Sequence, residues 1–465
     1  MAYVNRRRFL QTTAGFAAAL PVMGTAMAGR AFAADTQGYK ALVCVDFVGG
    51  LDGTDTIMPI TADAHAQLRA RRSALLDTYD DGSRAAENLL SLGRAADGVE
   101  YGLASEWAPV HDLYRAGKAA VVANVGPLVQ PTTRTEIANR TAELPPRLYS
   151  HNDQQSLWLT GDVEGRSLGY GGRMMDAVYA ADSGHDRIYG TIGLSTPRHG
   201  FMTGHLARGL VVTPGKPAKL ALRRKASSMS YAATRDPAFN NLMDEHLRQG
   251  GLAPSNAFAR DLSDMARRGM DNLAEFNRII EGAPDVPGRS NTDISNRFAR
   301  IAQTIGLNAA FGVSRQVFYI QAPGGFDSHG AQARTQHAKA VTATAMGEFM
   351  AEIEAMGLSE SVTLFTVSDF GRTVSTNGSG SDHGWGGHHF VMGGAVNGGR
   401  MIGTPPPYDD MSERYSDRRM RLIPDIGVDQ YINTLGRWFG INDTDLGDML
   451  PNLGNFEQRD LGLFN

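Results

Sequence analysis

Short apolar runs punctuate this chain, and each stops at a turn. Residues 41–48 (ALVCVDFV) run into Gly49-Gly50, and 119–125 (AAVVANV) into Gly126-Pro127. Residues 316–321 (QVFYIQ) lead to Pro323-Gly324-Gly325, and 362–367 (VTLFTV) to Ser368-Asp369. Such runs, rich in β-branched residues and bounded by turn formers, predict buried strands. Between them the apolar period lengthens. Residues 293–310 place Ile294, Phe298, Ile301 and Ile305 on one helical face. Residues 334–356 are rich in Ala and Met and stop before Gly357, a helix-terminating position. The alternation predicts an α/β domain with a mostly parallel central sheet sandwiched by helices. Residues 200–290 carry helical patterns and few strand signals, as expected of a helical insertion or cap.

The first 33 residues are expected to stand apart from the fold. Asn5-Arg6-Arg7-Arg8-Phe9-Leu10 fits the twin-arginine export pattern, and Ala31-Phe32-Ala33 is a small-x-small cleavage site. The apolar run between them is too short and mild for a membrane span. The expectation is a signal peptide over 1–33, a single domain over 34–465, and a periplasmic or secreted protein.

Charge narrows the partners. Lys and Arg number 45 against 49 Asp and Glu. Four of the arginines lie in the first 33 residues, which leaves an acidic remainder and disfavours nucleic acid. A protein partner stays open. The one cysteine, Cys44, sits in an apolar run, so any metal must be held by His, Asp or Glu.

Polar motifs follow the predicted strands, and in open parallel sheets ligands bind beyond the carboxyl ends of the strands. In GGLDGTDT (49–56), Asp52 reads as a metal ligand or as part of an Asp-Gly turn. In LYSHNDQQSLW (148–158), Ser150 stands at a helix start, either as an attacking hydroxyl or as an N-cap, with His151 capping or packing. In GGFDSHGAQ (324–332), Asp327 and His329 are two apart and share a side in extended chain, which suits a common metal. In SDFGRT (368–373), Asp369 offers a ligand and Arg372 an oxyanion contact, or the two form a structural pair.

The last motif, SDHGWGGHHF (381–390), holds three of the chain's 12 histidines. Ser381-Asp382-His383 is a poor triad, because consecutive extended side chains alternate sides. Asp382 and His383 read instead as metal ligands, followed by His389 or His388, with Trp385 walling the pocket and the glycines letting the loop fold over a ligand. Together these motifs suggest a centre built from Asp and His.

The order GGxDG, SH, GFDSHGAQ, SDFGRT, DHGWGGHHFVMGGAVNGGRMIG and LGRWFG, spread from about residue 40 to about residue 460, resembles domain of unknown function 1501. That family is similar to the alkaline-phosphatase-like superfamily of phosphatases and sulfatases. The resemblance implies a sheet sandwiched by helices, two adjacent metal sites, and a Ser or Thr nucleophile at a helix start. Carried over by position, Asp52 is the acid after the first strand and Ser150 the nucleophile. Asp327 and His329 serve one metal. Asp369 serves the other, completed by His383 or by one of His388 and His389. The expected function is an exported hydrolase of small phosphate or sulfate esters, dependent on Zn, Mn, Mg or Ca, with Arg372 or His389 stabilising the transferred group. A non-catalytic periplasmic binding or assembly protein on the same fold is the alternative, and a metal-free serine hydrolase a further one.

Overall fold

The computed structural model describes residues 34–465 apart from 166, 195–199, 216, 219–256 and 410. The expected signal segment, 1–33, therefore lies outside the described residues. In chain order the strands are β1 Lys40–Phe47, β2 Ile57–Pro59, β3 Leu90–Arg94, β4 Glu100–Leu103, β5 Ala119–Gly126, β6 Thr191–Gly193 and β7 Leu210–Val211. They continue with β8 Arg315–Gln321, β9 Val362–Ser368, β10 Arg372–Thr376, β11 Ser381–His383, β12 Gly387–Met392, β13 Met401–Ile402 and β14 Ile426–Gly427.

The central sheet has nine strands in the order β13-β5-β12-β9-β1-β8-β6-β7, with β14 added beside β5. Its pairings are parallel except those of β12, which runs antiparallel to both β5 and β9. The four strands expected from the apolar runs are β1, β5, β8 and β9. β12 was not expected as a strand. The glycine and the two histidines of GHHFVM hide a segment that is buried along its whole length.

Side-chain alternation along β1 explains why its run is continuous. Ala41, Val43, Val45 and Phe47 enter one core, while Leu42 and Cys44 enter the other. A strand covered on both faces needs apolar residues at every position, and each large side chain so buried contributes about 1.5–3 kcal/mol.

Helices cover both faces. The helices that matter below are α1 Ala62–Leu76, α2 His151–Thr160, α3 Tyr170–Ala181, α4 Ala257–Glu281, α5 Asp293–Gly306, α6 Thr335–Ala355 and α7 Val428–Phe439. The apolar faces of α5 (Ile294, Phe298, Ile301, Ile305) and α6 (Met346, Phe349, Ile353) fill the first core. Those of α3 (Met174, Val178) and α7 (Tyr431, Leu435, Phe439) fill the second. Residues 200–290 are not wholly helical, because β7 pairs with β6 at the sheet edge. Two residues are too few to show a period.

Candidate metal centre

β1, β8 and β9 are adjacent and parallel, with Asp46 beside Gln321 and Phe47 beside Ser368, so their carboxyl ends open onto one place. The loops beyond them touch. Gly49 has φ +108°, and a Cβ there would lie 2.5 Å from the Asp327 backbone nitrogen. The glycine pair after β1 thus allows two strand-end loops to approach each other. Asp369, one residue past β9, accepts the Gly49 N–H at 3.1 Å.

Four side chains converge there. His329 Nε2 lies 3.0 Å from Asp327 Oδ1 and 3.0 Å from His383 Nε2. His383 Nε2 is 3.3 Å from the same carboxylate oxygen. His151 Nε2 approaches Asp327 Oδ2 at 3.4 Å. Donor atoms of His151, Asp327 and His383 all lie within 4.8 Å of one another. The site is open, since the side chains of Asp327 and His329 are 43% and 48% exposed.

The opposite nitrogen of each ring faces an oxygen. His151 Nδ1 is 2.8 Å from Asp369 Oδ2. His329 Nδ1 is 3.1 Å from Asp382 Oδ1, and His383 Nδ1 is 2.8 Å from the Tyr149 carbonyl. These partners only accept, so each neutral ring is assigned its proton on Nδ1, leaving an Nε2 lone pair aimed at the cluster. The Asp369 hydrogen bond raises the His151 pKa, opposed by burial. Burial lowers that of the neighbouring His383, although its Tyr149 contact pulls the other way. Burial would raise Asp327, but its hydrogen bond with Arg372 and the charges around it hold its carboxyl below the usual range. Two buried polar atoms here, His151 Nε2 and Asp369 Oδ1, have no hydrogen-bond partner.

The residues singled out in the sequence fall into two groups. Asp327, His329, Asp369, Asp382 and His383 come together. In this geometry Asp369 and Asp382 act on imidazole Nδ1 atoms, one position behind the converging donors. Asp52 is elsewhere engaged: it is buried, both its oxygens bind Arg72 of α1, and Ser381 Oγ donates to it at 3.3 Å. That contact also removes Ser381 from any triad.

Arg372 reaches the cluster but is spent inside it. It is 1% exposed and donates to Asp327 at 2.9 Å, to the Gly49 carbonyl at 3.2 Å and to the Ser381 carbonyl. Ser150 is the N-cap residue of α2, yet its hydroxyl donates to Asp153 at 2.9 Å rather than capping.

The two histidines of β12 point into the interior. His388 Nδ1 accepts the Asn124 N–H at 3.0 Å, and His389 packs edge-on against Trp158 at 4.6 Å. Burial lowers their pKa values to about 4 and about 3. Trp385 donates to the Pro127 carbonyl at 2.6 Å, inside a small core with Leu128, Ile423 and Phe456, so it does not wall the centre. The glycines beside it serve close packing, not a mobile loop: a Cβ on Gly384 would meet the Gly371 carbonyl at 2.6 Å, and one on Gly371 the Gly386 carbonyl at 2.0 Å.

His151 is the participant that the sequence reading left as a capping or packing residue. Its signal was present, as one more histidine at a helix start, but Ser150 next to it drew the chemistry.

Fold and site together define an α/β sandwich with a histidine–carboxylate centre at the carboxyl ends of its parallel strands. The chain belongs to a family described as "Protein of unknown function (DUF1501)", whose model matches residues 39–424. No curated protein matches it. Among solved structures it is similar to Ps i-CgsB in complex with k-i-k-neocarrahexaose, at 11% identity and a TM-score of 0.37, covering 91% of this chain and 78% of that one. The PsFucS1 sulfatase from Pseudoalteromonas sp. gives 10% identity and 0.36, covering 92% and 73%. The C-terminal periplasmic domain of EcEptC from Escherichia coli, in complex with Zn, gives 9% and 0.35, covering 92% and 88%.

Proposed function

We propose that this chain holds a divalent metal ion on His151, Asp327, His329 and His383 and hydrolyses phosphate or sulfate esters. One observation carries the reading. His329 Nε2, His383 Nε2 and Asp327 Oδ1 lie 3.0–3.3 Å from one another with no proton assigned between the two nitrogens, and His151 Nε2 joins them through Asp327 Oδ2 at 3.4 Å. Donors sharing an ion at about 2.1 Å are separated by about 3.0–3.4 Å. Without a cation, facing lone pairs repel. The orphaned His151 Nε2 fits the same account.

A nitrogen-rich donor set suits Zn better than Mn, Mg or Ca, which favour oxygen. When bound, the ion supplies Lewis acidity toward an ester oxygen. Asp369 and Asp382 fix the tautomers of His151 and His329. Arg372 orients Asp327. Ser150 is the proposed nucleophile, one residue from His151: its hydroxyl, which donates to Asp153, would pass its proton to that carboxylate and take the phosphoryl or sulfuryl group as the bond to the ester alcohol breaks, and water would then release the group from the serine. The twin-arginine pattern of residues 1–33 motivates a periplasmic or secreted setting for this activity.

The test is protein purified without added metal, analysed for bound elements and assayed on 4-nitrophenyl phosphate and 4-nitrophenyl sulfate. Stoichiometric metal, with hydrolysis lost in Ser150→Ala, is the expected result. Hydrolysis unchanged in Ser150→Ala passes the attack to water. Metal without any hydrolysis favours the binding role, and no metal sinks the reading.

A further inference from the structure

An anionic substrate at this centre needs a cation facing outward, and Arg372, the cation suggested by the sequence, faces inward. Arg421 is also occupied. It donates to the His383 carbonyl at 2.8 Å, pairs with Asp417, lies over the Tyr149 ring at 4.3 Å, and has a side chain only 14% exposed.

Arg419 differs. Its Nη1 binds Asp382 Oδ2 at 2.9 Å, and its side chain is 63% exposed. Among the described residues its remaining guanidinium nitrogens have no protein partner. Arg147 is as exposed, but the carboxylate it reaches, Asp153, holds Ser150, whereas the carboxylate Arg419 reaches, Asp382, holds the converging imidazole of His329.

The position of Arg419 is built. Met420 is buried at φ +55°, a conformation uncommon outside glycine. The Met420 carbonyl accepts the Val374 N–H, and the Arg419 carbonyl accepts the Ser375 N–H, so β10 holds this turn. The two arginines flanking Met420 thereby engage consecutive residues of β11: Arg419 the Asp382 carboxylate, Arg421 the His383 carbonyl. Arg419 is thus carried to the carboxylate whose other oxygen holds His329, with one edge of its fork tethered and the other open. A planar guanidinium edge matches two oxygens of a tetrahedral oxyanion.

We propose that Arg419 recognises the substrate's anionic group, a phosphate or sulfate oxyanion, and so restricts this centre to charged esters. This rests on the metal-site reading above. Arg419 is a specificity residue that contacts substrate, not a metal ligand.

The test is titration calorimetry of the metal-loaded full chain with inorganic phosphate and, separately, inorganic sulfate, with bound metal measured in each sample. Arg419→Gln is expected to weaken both anions by about tenfold or more, the loss of a charge-assisted pair, with metal content unchanged. Arg419→Lys, which keeps the charge and loses the fork, should fall between. Arg267→Gln, an exposed arginine paired with Asp264 on α4, controls for net charge and should match wild type. Equal anion affinity in Arg419→Gln with metal retained overturns the proposal. So does metal loss in both Arg419 variants, which would make Arg419 a support for Asp382. Wild-type protein that holds metal but binds neither anion overturns it as well. Wild-type protein without metal instead fails the reading beneath it, and the proposal falls with that reading.

Discussion

His329 Nε2 and His383 Nε2 face each other at 3.0 Å, while the far side of each ring is held by an oxygen acceptor. Two lone pairs at that distance ask for a cation. Metal should therefore stabilise the fold by mass action. At a free concentration of 100 times Kd the gain is about 2.7 kcal/mol. Thermal melts of chelator-treated protein, with and without Zn or Mn, should show a rise in Tm for wild type. The rise should vanish in His383→Ala and in Asp327→Ala. A wild-type melt indifferent to both metals would remove the metal from the account.

The carboxylates behind the imidazoles should behave differently from the ligands. Asp369→Asn and Asp382→Asn each leave an amide oxygen able to accept from the ring but weaken the charge that orients it. Metal affinity should fall by about 10–100-fold in each, the usual cost of losing an outer-shell partner. Binding itself should persist. Competition against a chromogenic chelator measures this, and complete loss in Asp369→Asn would make Asp369 a direct ligand.

Some of this arrangement was legible in the sequence, for a physical reason. The runs that became β1, β5, β8 and β9 are apolar at successive positions because both faces are buried, and the polar letters begin where the sheet stops. Asp327, His329, Asp369 and His383 could be picked out as strand-end residues. Their division of labour could not, because whether a carboxylate faces a metal or an imidazole Nδ1 depends on distances between loops far apart in the chain. Arg372 and His389 show the same limit. Spacing marks a residue as near a strand end or within a strand, but not whether its charge is already spent on backbone carbonyls or its ring is in the core. The three glycines of SDHGWGGHHF looked like loop freedom, and they record close packing instead, Gly384 and Gly387 against the Gly371 backbone and Gly386 against the Asn124 side chain.

The motif around Asp55 should prove structural. Asp55 is buried and binds Lys339 at 2.5 Å and Arg84 at 2.7 Å, while Arg84 also reaches Glu106 at 2.6 Å. Burial opposes its charge, but the two cations outweigh burial and hold its carboxyl well below the usual range. Removing one partner leaves a buried charge uncompensated, at a cost of about 3–5 kcal/mol. Lys339→Met should destabilise the fold by that order in urea unfolding. Lys339→Met with Asp55→Asn should recover part of the loss, as coupled neighbours do. Additive losses would mean that the pair is not coupled.

His388 and His389 give the fold a dependence on acid. Burial keeps both neutral, with pKa values of about 4 and about 3, whereas in the unfolded chain they titrate near about 6.5. Between those values the unfolded state binds protons that the folded state does not, so stability falls as pH falls. Their contribution is complete above about 6.5 and is lost as pH drops through about 4 for His388 and about 3 for His389. Each histidine adds up to about 1.4 kcal/mol per pH unit to the slope. Phenylalanine at 389 keeps a ring against Trp158 and removes one titrating group. Urea unfolding of His389→Phe from pH 7 to pH 4.5 should therefore show a shallower decline than wild type, by about one proton. An unchanged slope would mean that His389 takes up its proton in the fold as readily as in the unfolded chain, and its burial against Trp158 and Tyr431 would need another explanation.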